Sequence, residues 1–123
     1  MNIQIQLVPH KKQRYNTVGD WLFDIYGNLD IKISELGDDD YTFLIAIHEL
    51  IEAYLCKGAG IDQNQVDKFD MEFTGQDPGQ EKTAPYYTQH IIATFVESAI
   101  AACLGVNWEE YEKEINLISQ TYE

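Results

Sequence analysis

The chain has 123 residues, 21 of them acidic and 8 basic, for a formal charge of −13 at pH 7. That length suits a single domain, residues 1–123, with its own core. The charge argues against nucleic acid as a partner, because a phosphate binder needs a basic surface, and the same field attracts cations.

The N-terminal stretch MNIQIQLVPH alternates apolar and polar residues, with Ile3, Ile5 and Leu7 in one row. This predicts a half-buried strand stopped by Pro9. It has no continuous apolar run of the kind a secretory signal needs. The apolar run from Ile91 to Val106 is too short and interrupted to span a bilayer. A cytoplasmic protein without a membrane partner is expected. His10-Lys-Lys-Gln-Arg14 reads as a basic surface turn. Asp20–Tyr26 and Leu29–Ser34 read as the two strands of a hairpin joined at Gly27-Asn28. With the first strand beside them they make a small, largely antiparallel sheet.

About four helices follow. Gly37-Asp-Asp-Asp40 opens the first, where acidic residues suit the helix dipole. Lys57-Gly58-Ala-Gly60 ends it. Asp62 and Gln65 form a capping box for a short helix with Val66, Phe69 and Phe73 on one face. Residues 74–84 are a polar loop, read either as a lid over a site or as a plain connector. Pro85 suits the first turn of the next helix, which runs to Leu104 and stops at Gly105. Asn107 caps a last helix with Trp108, Tyr111, Ile115 and Ile118 on one side. Sheet first and helices after is an α+β order. Cys56 and Cys103 both fall on helical patterns and read as small buried thiols of a reducing compartment.

Chemistry concentrates on the two long helices. In the first, His48 and Glu52 lie about 40° apart in projection, between Leu44, Ile45, Ile51 and Leu55. In the second, His90, Thr94, Glu97 and Ala101 share one line. Between residues 86 and 108 the titratable groups other than tyrosine and cysteine are His90 and Glu97. A carboxylate in such a stripe must be paired, protonated or bound to a cation. If the helices pack antiparallel, His48, Glu52, His90 and Glu97 converge. Two imidazoles with one or two carboxylates suit a divalent metal, zinc first, iron or manganese if more oxygens join. Glu97 is then either a fourth ligand or a partner of His90. A buried His–Glu hydrogen-bond network without metal is the alternative.

Lesser candidates are few. Asp67, Asp70 and Glu72 lie on the short helix; Asp70 is either a further oxygen donor or part of a solvated face. Tyr86 and Tyr87 either line the site or belong to the core. The chain has no phosphate-binding glycine loop, no C-x-x-C and no serine-nucleophile motif.

His48-Glu49-Leu-Ile-Glu52 resembles the zincin signature H-E-x-x-H, with Glu52 where the second His stands. A small sheet ahead of the motif helix is similar to the zincin layout. The resemblance implies that Glu49 is the general base on a water held by the metal, with His90 supplying the missing imidazole. The strings His48–Lys57, Val66–Asp70, Ala84–Glu97 and Leu104–Tyr111 resemble a group of small phage and prophage proteins. That likeness implies a bacterial or phage cytosolic setting, without a particular reaction.

The expectation is therefore a zincin-like α+β metal-binding protein of phage type, acting as a zinc-dependent hydrolase on a peptide or amide. A protein or peptide partner and a homo-oligomer both fit it. The rival is a non-catalytic acidic binding protein, a DNA mimic or blocker of a host factor, for which a metal or polar cluster is only structural. A mimic needs its carboxylates on an exposed face, whereas Glu52 and Glu97 fall on apolar ones.

Overall fold

Alternation in the first third of the chain sets the sheet. The protein, seen as a computed structural model that describes residues 1–75 and 77–122, opens with strands β1 (Ile3–Val8), β2 (Gly19–Phe23) and β3 (Leu29–Ser34). Their order in the sheet is β1-β3-β2. Three rows of side chains cross it on one face: Ile3, Leu29 and Phe23; Ile5, Ile31 and Trp21; Leu7, Ile33 and Gly19. Central β3 is the most buried strand, with Leu29, Ile31 and Ile33 closed to solvent.

β2 and β3 form the expected antiparallel hairpin. β2 ends at Phe23, short of the expected Tyr26, because Asp24 takes over the turn. Its carboxylate accepts the backbone N–H groups of Tyr26 and Asn28, and Gly27 adopts φ +81°, a conformation that favours glycine. β1 pairs with β3 in parallel, so the sheet is mixed. The chain leaves β1, crosses to the far edge as β2 and returns down the middle, which aligns β1 with β3.

Helices α1 (Asp39–Gly58), α2 (Gln63–Glu72), α3 (Tyr87–Leu104) and α4 (Trp108–Ser119) follow, giving the α+β layout expected. Asp38 caps α1 by accepting the N–H of Tyr41, and Asp62 and Gln65 form the capping box of α2. Asn107 caps α4 by accepting the N–H of Glu110. α3 starts at Tyr87, so Pro85 precedes its first turn, and Gly105 closes it at φ +72°. The polar loop holds a short 3-10 turn at Pro78–Gln80. No single helix among the described residues is long and apolar enough to cross a membrane.

α1 lies over β2 and β3 and packs along α3. Leu44, Ile45, Ala53 and Cys56 of α1, Ala101 of α3 and Tyr111 of α4 fill the core between them. β1 is left outside this cover. Ile3, Ile5 and Leu7 remain 47%, 45% and 51% exposed, more than a half-buried strand implies. His10 departs from the surface-turn reading: it is buried, with Nδ1 2.8 Å from Ser34 Oγ and Nε2 2.9 Å from Asn16 Oδ1. Cys103 is exposed, and only Cys56 matches the buried-thiol reading.

Leu44 has no exposed surface, so its truncation leaves a cavity that close packing cannot refill. Leu44→Ala should lower unfolding free energy by about 2–5 kcal/mol, read from urea melts; a loss under 1 kcal/mol would mean that this core is loosely packed.

Candidate metal centre

One helical turn separates His48 from Glu52, so both side chains leave α1 in the same direction. His90 reaches the same point from α3. His48 Nε2, Glu52 Oε2 and His90 Nδ1 form a triangle with edges of 3.1 Å (His48 to Glu52), 3.2 Å (His48 to His90) and 2.8 Å (His90 to Glu52). Three donor atoms bound to one zinc at about 2.0–2.1 Å are spaced on this scale. These residues form a group able to hold a metal ion.

Two of the three corners are held from behind by hydrogen bonds. Glu97 Oε1 lies 2.7 Å from His48 Nδ1, which assigns a proton to that nitrogen and turns Nε2 toward the triangle. Tyr111 in turn donates its hydroxyl to Glu97 Oε2 at 2.6 Å. Trp21 donates its indole N–H to Glu52 Oε1 at 3.0 Å, leaving Oε2 for the triangle. His90 Nε2 lies 3.4 Å from Asp77 Oδ1, outside hydrogen-bond geometry, and has no other partner among the described residues. The Pro78–Gln80 turn closes this side. A Cβ on Gly79 would come within 2.3 Å of the His90 ring, so glycine lets the backbone lie against the imidazole.

Glu49 stands beside the triangle. Its Oε2 is 4.0 Å from His48 Nε2. Its carboxylate is buried against Gly19 of β2, where a Cβ would come within 2.6 Å of Glu49 Cγ. Burial first, and then the charge of Glu52, hold the Glu49 carboxyl well above its ordinary range. No hydrogen bond joins it to another described residue.

With protons as its only cations, the cluster behaves as a carboxylate between two imidazoliums. Burial opposes the charge on Glu52, but hydrogen bonds from His48 and His90 outweigh it and bring the group down to about 2. Burial also opposes charge on His90; Asp77 and Glu52 outweigh it and raise the ring to about 9. His48 moves up likewise, burial being outweighed by Glu52 and Glu97.

Of the four sequence-predicted ligands, His48, Glu52 and His90 converge on one point; Glu97 instead meets the outer nitrogen of His48 and the Tyr111 hydroxyl, and makes no hydrogen bond to His90, the partner expected for it outside the ligand set. Asp70 departs from a solvated face. It accepts the hydroxyls of Tyr86 and of Tyr15, the latter at 3.0 Å, and burial first raises it to about 6. Asp67 instead pairs with Arg14 at 3.0 Å. Tyr86 is buried core against the His90 ring, at 6.0 Å between centroids. Trp21, Tyr111, Asp77, Gly19 and Gly79 escaped the sequence reading as site residues. Only the aromatics carried a signal, since a buried Trp N–H or Tyr O–H needs a partner.

No protein-family model, curated protein or solved structure matches the chain.

The protonated cluster sets a pH window for the metal-free protein. His90, raised from 6.5 to about 9, contributes stability that is full below pH 6.5 and lost as pH climbs through 9. Glu52, lowered from 4.5 to about 2, contributes stability that is full above pH 4.5 and lost as pH falls through 2. Melting temperature in chelator should therefore peak between these limits and decline on both sides. A value that does not change from pH 6 to 9 would show that His90 is not held as an imidazolium.

Proposed function

We propose that this chain is a divalent-metal protein with His48 Nε2, Glu52 Oε2 and His90 Nδ1 as ligands, and that with zinc it hydrolyses a peptide or amide bond. The observation that carries the reading is the buried triangle of three donors, with Glu97, Trp21 and Asp77 set behind its corners. Two protonated imidazoles donating to Glu52 Oε2 would hold the same three atoms together, but the rings' nitrogens then face each other at 3.2 Å as like charges, a repulsion that one shared cation in place of the two protons removes.

The donor set favours catalysis over a purely structural metal. Two imidazoles and one carboxylate leave a fourth position open, as catalytic zinc sites do, while structural sites close with four protein ligands. Glu97 is occupied by His48 and Tyr111, which makes it an orienting group. Bound zinc would polarise a carbonyl and make a water acidic near neutral pH. Glu49 would take the proton released by the attacking water and return it to the departing amine. Its buried carboxyl, with its proton affinity raised, is set in the direction that such work needs. Asp77 would steady His90, and the Pro78–Gln80 turn would keep bulk water from that face.

This reading keeps the phage or prophage setting and the zincin likeness on the strength of the sequence strings alone. It is preferred to a DNA mimic because Glu49, Glu52 and Glu97 are turned inward.

Elemental analysis of protein purified without added metal tests the first part. About one metal per chain is expected in the wild type, and none in His48→Ala. No metal in either, with equal stability, would overturn the proposal. The second part turns on Glu49→Gln, which should keep the metal and lose hydrolysis of peptide or amide substrates by at least about 100-fold. Unimpaired turnover would remove Glu49 from the mechanism.

A further inference from the structure

β1 is an open sheet edge, and its hydrogen-bonding phase can be read from its partner. Leu29 donates its N–H to the carbonyl of Asn2, and Glu35 to the carbonyl of Val8, both at 2.9 Å. Even-numbered residues of β1 therefore bond to β3, and the N–H and C=O groups of Ile3, Ile5 and Leu7 face outward, away from β3. Proteins usually protect such an edge with a charge, a proline or a bulge. From Ile3 to Val8 there is none: no residue of the strand is charged and none is proline, and the register with β3 is unbroken. The opposite edge is treated differently. On β2, Gln63 accepts the N–H of Phe23, and Arg14 binds Asp20 at 2.8 Å.

We infer that β1 pairs antiparallel with β1 of a second copy of this chain, about a two-fold axis through Ile5, joining two three-stranded sheets into one of six strands. Three features select a second copy as the occupant. The first is register. A two-fold axis at Ile5 sets Ile3 opposite Leu7 of the second copy, Ile5 opposite its own equivalent, and Leu7 opposite Ile3. All of these residues present free backbone groups, so each pair closes two hydrogen bonds. The second is the side chains. On the α1 face the two rows of Ile3, Ile5 and Leu7 merge into one apolar strip beside exposed Phe43, removing surface that each chain leaves to water. On the other face Gln4 meets Gln6 of the second copy, two amides that both donate and accept. The third is charge. Two chains of −13 each repel, so a contact between copies is best placed where neither carries a charge, and β1 is such a place. The pairing is independent of the metal reading and stands or fails without it.

Molar mass by light scattering, together with three variants of the full chain, tests the pairing. The wild type should run at twice the chain mass. Ile5→Pro removes an outward N–H while sparing every β1–β3 bond, so it should give a folded monomer by circular dichroism. In a Cys103→Ser background, Ile5→Cys should form a disulfide-linked dimer on mild oxidation. Hydrogen-bonded antiparallel partners sit about 5.5 Å apart at Cα, inside the range of about 4.4–6.8 Å that a disulfide bridges. Gln4→Cys in the same background should link far less, since the Gln4 equivalents are diagonal neighbours. A wild type that is monomeric at every concentration overturns the inference. So does a dimer that survives Ile5→Pro and gives no Ile5→Cys link, because its interface lies elsewhere. If Ile5→Pro fails to fold, the contrast between Ile5→Cys and Gln4→Cys decides alone.

Discussion

Glu52 is a carboxylate enclosed in the interior, and an enclosed charge must be compensated where it stands. Compensation comes from three elements: His48 one turn away on α1, His90 on α3, and Trp21 on β2. That one requirement ties the sheet to both long helices at a single point. It also explains glycine at two close approaches. Gly19 lets β2 pass over Glu49, and Gly79 lets the connecting turn lie on His90. The fold around the site is thus organised by polar contacts, while the apolar core of Leu44, Ile31, Ile33 and Tyr111 holds the elements to which those contacts belong.

Stability alone gives little reason to keep such a cluster. Buried ionic groups can often be replaced by well-packed apolar residues without loss, whereas removing one partner is costly. Here the cluster extends from the α4 hydroxyl of Tyr111 through Glu97 and His48 to Glu52 and His90. Such a chain fixes ring orientation and tautomer, which a hydrophobic core does not need and a coordination site does. Glu49, beside the cluster, makes no hydrogen bond to another described residue, which leaves its carboxyl free for the proton transfer proposed for it.

Structure is legible in the sequence where its cause is local. The caps at Asp38, Asp62 and Asn107 and the stop at Gly105 are set by residues within a turn of each other. The pairing of His48 with Glu52 follows from helical spacing, and the presence of His90 and Glu97 in an otherwise uncharged helix marked the second half of the site. Features that depend on the path of the chain were not legible. Nothing in Ile3–Val8 says that its partner is β3 in parallel, or that α1 will leave it uncovered. His10 sits in a basic run that looks solvated, and only the fold brings Ser34 and Asn16 to its two nitrogens. The role of Asp77 depends on a loop that curls back onto α3, and a polar, glycine-rich string does not encode that in its periodicity.

Anomalous diffraction at the zinc edge, on crystals of the protein grown with zinc, reads out whether a cation sits among His48 Nε2, Glu52 Oε2 and His90 Nδ1. One strong peak is expected at about 2.0–2.2 Å from each of those three atoms, with Glu97 still on the other nitrogen of His48. A peak bound through His48 Nδ1 and Glu97, or no peak between the two helices, would rule out the proposed metal site.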